Sequence, residues 1–208
     1  MSGPEPIARE TREPAELVKP PQSRRSGGVS SVYLEPGARW GLEGQRIYVK
    51  CQTDYFCRPP WRGFLATPTL RREVRALRAW RALGIPVPVV VAYRQQGLRA
   101  ELALAEVQGG VPFDEAMARP DADRRTLVIQ LARVVGRLHR SGWTHGALSS
   151  EHILVNPDDG TITFIDLEKA KRSRRLRRRE LERFWRHSDC FRADERALFE
   201  AEYSDALR

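Results

Sequence analysis

With 41% hydrophobic and 30% charged residues, a chain of 208 residues can bury a sizeable core, which excludes a wholly disordered protein. Its longest apolar stretch, Val87 to Tyr93, is far shorter than the roughly 20 residues a membrane-spanning helix requires. The net charge is +9, and residues 169–187 hold ten Lys or Arg against only Glu180 and Glu182. That run suits an anionic partner such as phosphate-bearing lipid, nucleic acid or nucleotide, or else a merely solubilising basic helix. The N-terminus lacks the basic and apolar regions of a secretory leader, so a cytoplasmic location is expected. Cys51, Cys57 and Cys190 show no C-x-x-C spacing and are read as reduced thiols.

Residues 1–25 carry five prolines among charges and are expected to form a loose, disordered arm. Ser26-Gly27-Gly28 leads into a β-prone run at 29–34, and a second strand follows at 47–51, the pair reading as a hairpin. Alternation sets Ile47, Val49 and Cys51 on one face and Tyr48 and Lys50 on the other. Thr67-Pro68 supplies a capping hydroxyl and a proline for the first helical position, so a helix is expected from there to about Leu83. Gly84-Ile85-Pro86 ends it, and strands are expected at 89–93 and 101–107 around a Gly97 turn. Gly109-Gly110-Val111-Pro112 reads as a linker between a part spanning 26–108 and one spanning 109–208. Beyond it, 123–140 is helical, with Leu127, Leu131, Val134 and Leu138 on one stripe. A polar loop follows, then two strands, 152–156 and 161–167, around Pro157-Asp158-Asp159-Gly160, then one or two helices in the tail. This order predicts an α+β, two-lobed plan.

Only four of the 36 basic residues are lysines, and Lys50 lies mid-strand among apolar neighbours, where a compact ammonium suits a phosphate oxygen; a strand lysine facing solvent is the alternative. Glu73 shares the face of Leu70 and Leu77, so it either pairs with Lys50 or sits on the margin of the stripe in water. Asp166 ends the apolar strand Ile162 to Ile165, where a carboxylate can hold Mg²⁺ or serve as a turn residue. His145 and His152 bracket the polar loop with a spacing that matches no standard zinc motif; His145 read alone can simply tie the loop down. The turn at Gly27, Gly28 and Ser30 can offer backbone N–H groups to phosphates, a weak signal without a full G-x-G-x-x-G.

The ordered set of glycine turn, strand lysine, helix glutamate, linker, long helix, histidine loop and hairpin ending in aspartate resembles the protein-kinase-like fold. Arg72-Glu73-Val74 through Ile85-Pro86, His145 through Leu154, and Ile165-Asp166-Leu167-Glu168-Lys169 look like the Kdo/WaaP lipopolysaccharide kinase family, especially its InaA-like branch. The resemblance covers about residues 27–187. It implies a small antiparallel N-lobe sheet, a helical C-lobe cut short because only 42 residues follow Asp166, and ATP and Mg²⁺ as cofactors. By similarity Lys50 would hold phosphates, Glu73 would orient it, and Asp166 would bind Mg²⁺. His145 matches the start of an H-R-D-L-x-x-x-N loop, His152 takes its asparagine position, and Ala147 stands where the proton-accepting aspartate is expected. His145, Glu151 and His152 are the candidates to replace that aspartate. Glu168 replaces the D-F-G glycine.

The expected function is ATP-dependent phosphorylation of a core sugar hydroxyl (heptose or Kdo) of lipopolysaccharide. Residues 169–187 would dock on anionic lipid or substrate phosphate, with Leu176, Leu181, Phe184 and Trp185 as an apolar side facing the membrane. The alternative is a catalytically impaired, nucleotide-binding stress or regulatory module, which Ala147 favours. Nucleic-acid binding rests on the arginine run alone, since no base-reading motif accompanies it.

Overall fold

The computed structural model describes residues 15–23, 28–58 and 65–208; Gly27, with residues 1–14, 24–26 and 59–64, lies outside them. The arm expected over 1–25 is corrected where it is described: Glu16–Ser23 is strand β1, an exposed edge strand antiparallel to β2 (Val29–Pro36). Pro20 and Pro21 have no N–H to give, and the register shifts between Lys19 and Gln22, as prolines on an edge strand allow. β2 pairs in turn with β3 (Arg46–Thr53), the hairpin expected from the pattern, with Val32 opposite Lys50.

After β3, Phe56–Cys57 (β4) pairs with Thr67–Pro68 (β5), and helix α1 runs from Thr69 to Ala82. The expected start is thus corrected: Pro68 is the residue before the helix, and the Thr67 hydroxyl donates to Leu65 O instead of capping. Gln52 supplies the missing cap, its Oε1 accepting from Leu70 N (3.3 Å) and the Thr69 hydroxyl (2.9 Å). The far end closes at Gly84, whose φ of 68° lets Ile85 N donate to Trp80 O at 3.0 Å while Ile85 is buried. Strands β6 (Val90–Gln96) and β7 (Arg99–Ala105) complete a five-stranded antiparallel sheet of order β1-β2-β3-β7-β6. Ile47, Val49 and Ala103 are buried on its outer cluster, which leaves Tyr48 and Lys50 for the opposite face.

The expected linker contains a short strand, β8 (Val111–Pro112), followed by helix α2 (Phe113–Ala118). Helix α3 (Arg124–Arg140) is capped by Asp123, which accepts from Thr126 N, and buries the predicted stripe of Leu127, Leu131, Val134 and Leu138. Then come β9 (Trp143–Thr144), β10 (Ile153–Val155), β11 (Ile162–Phe164) and β12 (Lys171–Arg172), with β10 between β11 and β8, and β12 against β9. Helices α4 (Arg177–Arg186) and α5 (Ala193–Leu207) finish the chain. α3 and α5 cross so closely that a Cβ at Gly136 would stand 2.6 Å from Ala206 Cβ.

Trp80 of α1 joins the two halves: fully buried, it meets Trp143, His145 and Phe164 edge-on. The sheet is therefore held against the loop and hairpin that carry the polar residues. Of the four residues expected to face a membrane, Leu181, Phe184 and Trp185 are turned inward instead, while half-buried Leu176 is not part of that core. Phe184 is fully buried against Phe191 and Phe199, while Leu181 and Trp185 pack on the same core. Among the described residues no helix is long and apolar enough to cross a membrane.

Candidate active site

Three elements bring their charged residues to one point. Lys50 Nζ on β3 donates to Glu73 Oε1 of α1 at 2.7 Å and to Asp166 Oδ1, just after β11, at 3.1 Å. Lys50 is 13% exposed and Glu73 is fully buried, so neither stands free in solvent. Burial works against the Lys50 ammonium, but Glu73, Asp166 and Glu168 outweigh it and raise its pKa. For Glu73 burial is the larger influence and pushes the carboxyl up against the pull of Lys50. Burial also opposes the Asp166 carboxylate, yet Lys50 and His152 hold its pKa at about 2. Asp166 adopts a left-handed backbone (φ 60°, ψ 57°) and makes no capping bond; its carboxylate is aimed at Lys50 and His152.

His152 lies on the other side of Asp166, Nε2 to Oδ2 at 3.3 Å. Its Nδ1 is 2.8 Å from Ala147 O, so in the neutral form Nδ1–H donates there and the Nε2 lone pair faces Asp166. Two cation-ligating atoms, an oxygen and a nitrogen, then point into the same space. Glu73, Asp166 and Glu168 also bring one carboxylate oxygen each within 4.8 Å of one another, and among the described residues Glu73 Oε2 has no hydrogen-bond partner. These donors fit a divalent cation beside phosphates, with Asp166, Glu168 and His152 all lining the cleft.

The cleft between sheet and hairpin measures about 680 Å³. Val32, Leu104, Leu154 and Ile165 give it apolar walls, and Lys50, Asp166 and Ser30 its polar end. Gly28, from the expected glycine turn, packs against the Asp54 carbonyl, where a Cβ would come within 2.3 Å. The proposed role of Gly27 falls outside the described residues.

Two of the three candidates for the proton acceptor are corrected. His145 is fully buried and donates through Nε2 to Ile165 O at 2.9 Å, so it fixes the strand before Asp166 and cannot reach a substrate. Glu151 is exposed on a short turn and does not line the cleft. Burial pushes the His145 pKa down to about 4, with Glu180 pulling the other way. A histidine kept neutral by folding contributes stability that is full above its unfolded pKa of 6.5 and lost as pH falls toward 4. Relative to His145→Gln, the wild type should lose about 3 kcal/mol over that window in urea unfolding. Glu73 titrates in the opposite sense but in both proteins, so it cancels in the difference. A pH-independent difference would contradict the assignment.

Two sets of residues at the site are not apparent from the sequence pattern. Glu168, read there as a lost glycine, accepts from Gln52 Nε2 (3.1 Å) and the Thr69 hydroxyl (3.3 Å), and its carbonyl accepts from Arg72. Gln52 and Glu168 thus tie β3, α1 and the Asp166 segment together. Glu180 of α4 accepts from His145 N (3.0 Å), Gly146 N and His139 Nε2 (2.9 Å), and His139 Nδ1 meets the Tyr203 hydroxyl at 2.8 Å. An acid inside a basic run, with Phe184 four residues on, was the available signal for a buried face.

Lobes of this kind, a strand lysine paired to a helix glutamate and a carboxylate after a β-hairpin across a cleft, define a kinase-like phosphotransferase fold. A crystal structure of an aminoglycoside-3'-phosphotransferase of type VIII superposes with a TM-score of 0.63 over 92% of this chain and 86% of that one, at 20% identity. The profile of the lipopolysaccharide kinase (Kdo/WaaP) family matches residues 10–204, and the chain belongs to that family. A curated relative, the probable bifunctional tRNA threonylcarbamoyladenosine biosynthesis protein of Methanothermobacter thermautotrophicus, is 28% identical over 102 residues. That match takes in 49% of this chain but only 17% of the relative's length.

Proposed function

We propose that the chain binds ATP with Mg²⁺ in the cleft and transfers phosphate to a hydroxyl of a lipopolysaccharide core sugar, heptose or Kdo, with residues 26–108 and 109–208 as its two lobes. The observation that carries this reading is the Lys50 ammonium held between Glu73 and Asp166 at the polar end of the cleft. Lys50 would hold the nucleotide phosphates, oriented by Glu73, with Ser30 at the same polar end of the cleft and the turn expected at Gly27 and Gly28 offering backbone N–H groups. Asp166, with His152 beside it, would hold the metal, which supplies charge neutralisation at the transferred group. Work at the inner face of a membrane, reached through the charge of residues 169–187, belongs to the same proposal.

The proton of the sugar hydroxyl has no carboxylate acceptor at Ala147. With His145 buried, Glu151 outside the cleft and the His152 Nε2 turned to Asp166 and the metal position, none of the three candidates stands free to accept it. Slow turnover follows, because positioning and charge neutralisation carry most of the acceleration and general-base help supplies roughly 10²–10⁴-fold. Ala147→Asp is expected to raise the rate of Mg²⁺-dependent transfer from γ-labelled ATP to core sugars by 10²-fold or more. If both proteins bind ATP and neither transfers phosphate, the second reading, a nucleotide-binding regulatory module, takes its place.

A further inference from the structure

The basic run does not present one uniform face. Three of its cations, Lys171, Arg179 and Arg183, converge on a separate recess of about 260 Å³ whose wall includes Gly146 and Thr144. Lys171 is brought there by pairing of β12 with β9, opposite Thr144, and Arg179 and Arg183 stand one turn apart on α4. All three are exposed, and among the described residues none has an acidic partner within ion-pair distance. The acid on the wall, Glu180, is buried and directs both oxygens inward to His139 and to the backbone N–H groups of His145 and Gly146. Three uncompensated cations therefore face a cavity below the roughly 300–1,000 Å³ of a pocket for a whole ligand. It suits one charged substituent. Two arginines and a lysine match a phosphate group, which carries about −1.5 to −2 charges and oxygens for bidentate guanidinium bonds.

The recess adjoins the cleft through the chain itself. Lys169 lines the cleft and Lys171 the recess, while Gly146 lines the recess and the next residue, Ala147, holds His152 by its carbonyl. Gly146 also keeps the two segments in contact: its φ is 81°, and a Cβ there would stand 2.3 Å from Lys169 O. We infer that Lys171, Arg179 and Arg183 form a subsite for a phosphate already carried by the acceptor sugar, so that the preferred acceptor is a phosphorylated saccharide. The acceptor role rests on the proposed phosphotransfer; the binding does not.

Glucose 6-phosphate and glucose, titrated calorimetrically into the full chain, test the subsite. The phosphate ester should bind and the neutral sugar should not. Lys171→Ala/Arg179→Ala/Arg183→Ala should weaken that binding at least tenfold. Arg172→Ala/Arg175→Ala/Arg178→Ala, which removes the same charge from the same run outside the recess, should change it less than twofold. Equal losses in the two triple variants, or no binding of glucose 6-phosphate, would overturn the subsite. So would dependence on the recess seen only with phosphatidic acid vesicles, which would make it a reader of lipid headgroups. Stabilisation by Mg-ATP should be the same in wild type and both triple variants. Its absence from all three proteins would sink the nucleotide reading and leave phosphate binding to be judged by itself.

Discussion

Asp166→Asn is expected to reduce phosphate transfer by at least about 10³-fold while leaving the fold in place. The side chain keeps its shape, and Asn tolerates the left-handed backbone at φ 60° as Asp does. Lys50 keeps its 2.7 Å pair with buried Glu73, so no charge is stranded. What disappears is the anionic oxygen that faces His152 and, by the proposal, the metal. Thermal unfolding of the two apo proteins should agree within a few degrees, and transfer assays should separate them. A variant that retains transfer would remove Asp166 from its assigned role.

The second large effect is structural. Glu180→Ala should cost about 3–5 kcal/mol, because it leaves buried His139 and the backbone N–H groups of His145 and Gly146 without their acceptor. Burial opposes the Glu180 carboxylate, but His139 and the Gly146 N–H more than offset it and lower its pKa. For a chain of this size such a loss lowers the midpoint by roughly 6–20 °C. Because Glu180 positions the Gly146-Ala147 backbone, whose carbonyl holds His152, activity measured well below the midpoint should fall as well. Arg183→Ala on the same helix should leave the midpoint unchanged, since its side chain is exposed. A Glu180→Ala midpoint within a degree or two of wild type would show that the three bonds contribute little.

Much of this site was legible because local rules place its members. Lys50 could be found from strand alternation and the scarcity of lysine, Glu73 from its place on an apolar helix face, and Asp166 from its position after an apolar strand. The long helix α3 followed from its apolar stripe, and its Asp123 cap emerged only in the structure. Strand β1 was hidden because its prolines and charges argue against order, and only pairing with β2 overrides them. Gln52 and Glu168 lie 116 residues apart, and nothing local announces that one caps α1 while holding the other. The same holds for Phe184 and Trp185, which an amphipathic reading sends outward and the Phe191 and Phe199 rings draw in. His145 and Glu151 were indistinguishable from His152 in a polar loop until burial separated them.

The most direct test is thermal unfolding of the full chain with and without Mg-ATP, alongside Asp166→Asn. Nucleotide at about 100 times its dissociation constant adds ~2.7 kcal/mol to the folded state. At roughly 2–4 °C per kcal/mol the midpoint should rise by about 5–11 °C, and the variant should lose that rise. An unchanged wild-type midpoint at millimolar Mg-ATP would contradict a nucleotide site built on Lys50, Glu73 and Asp166.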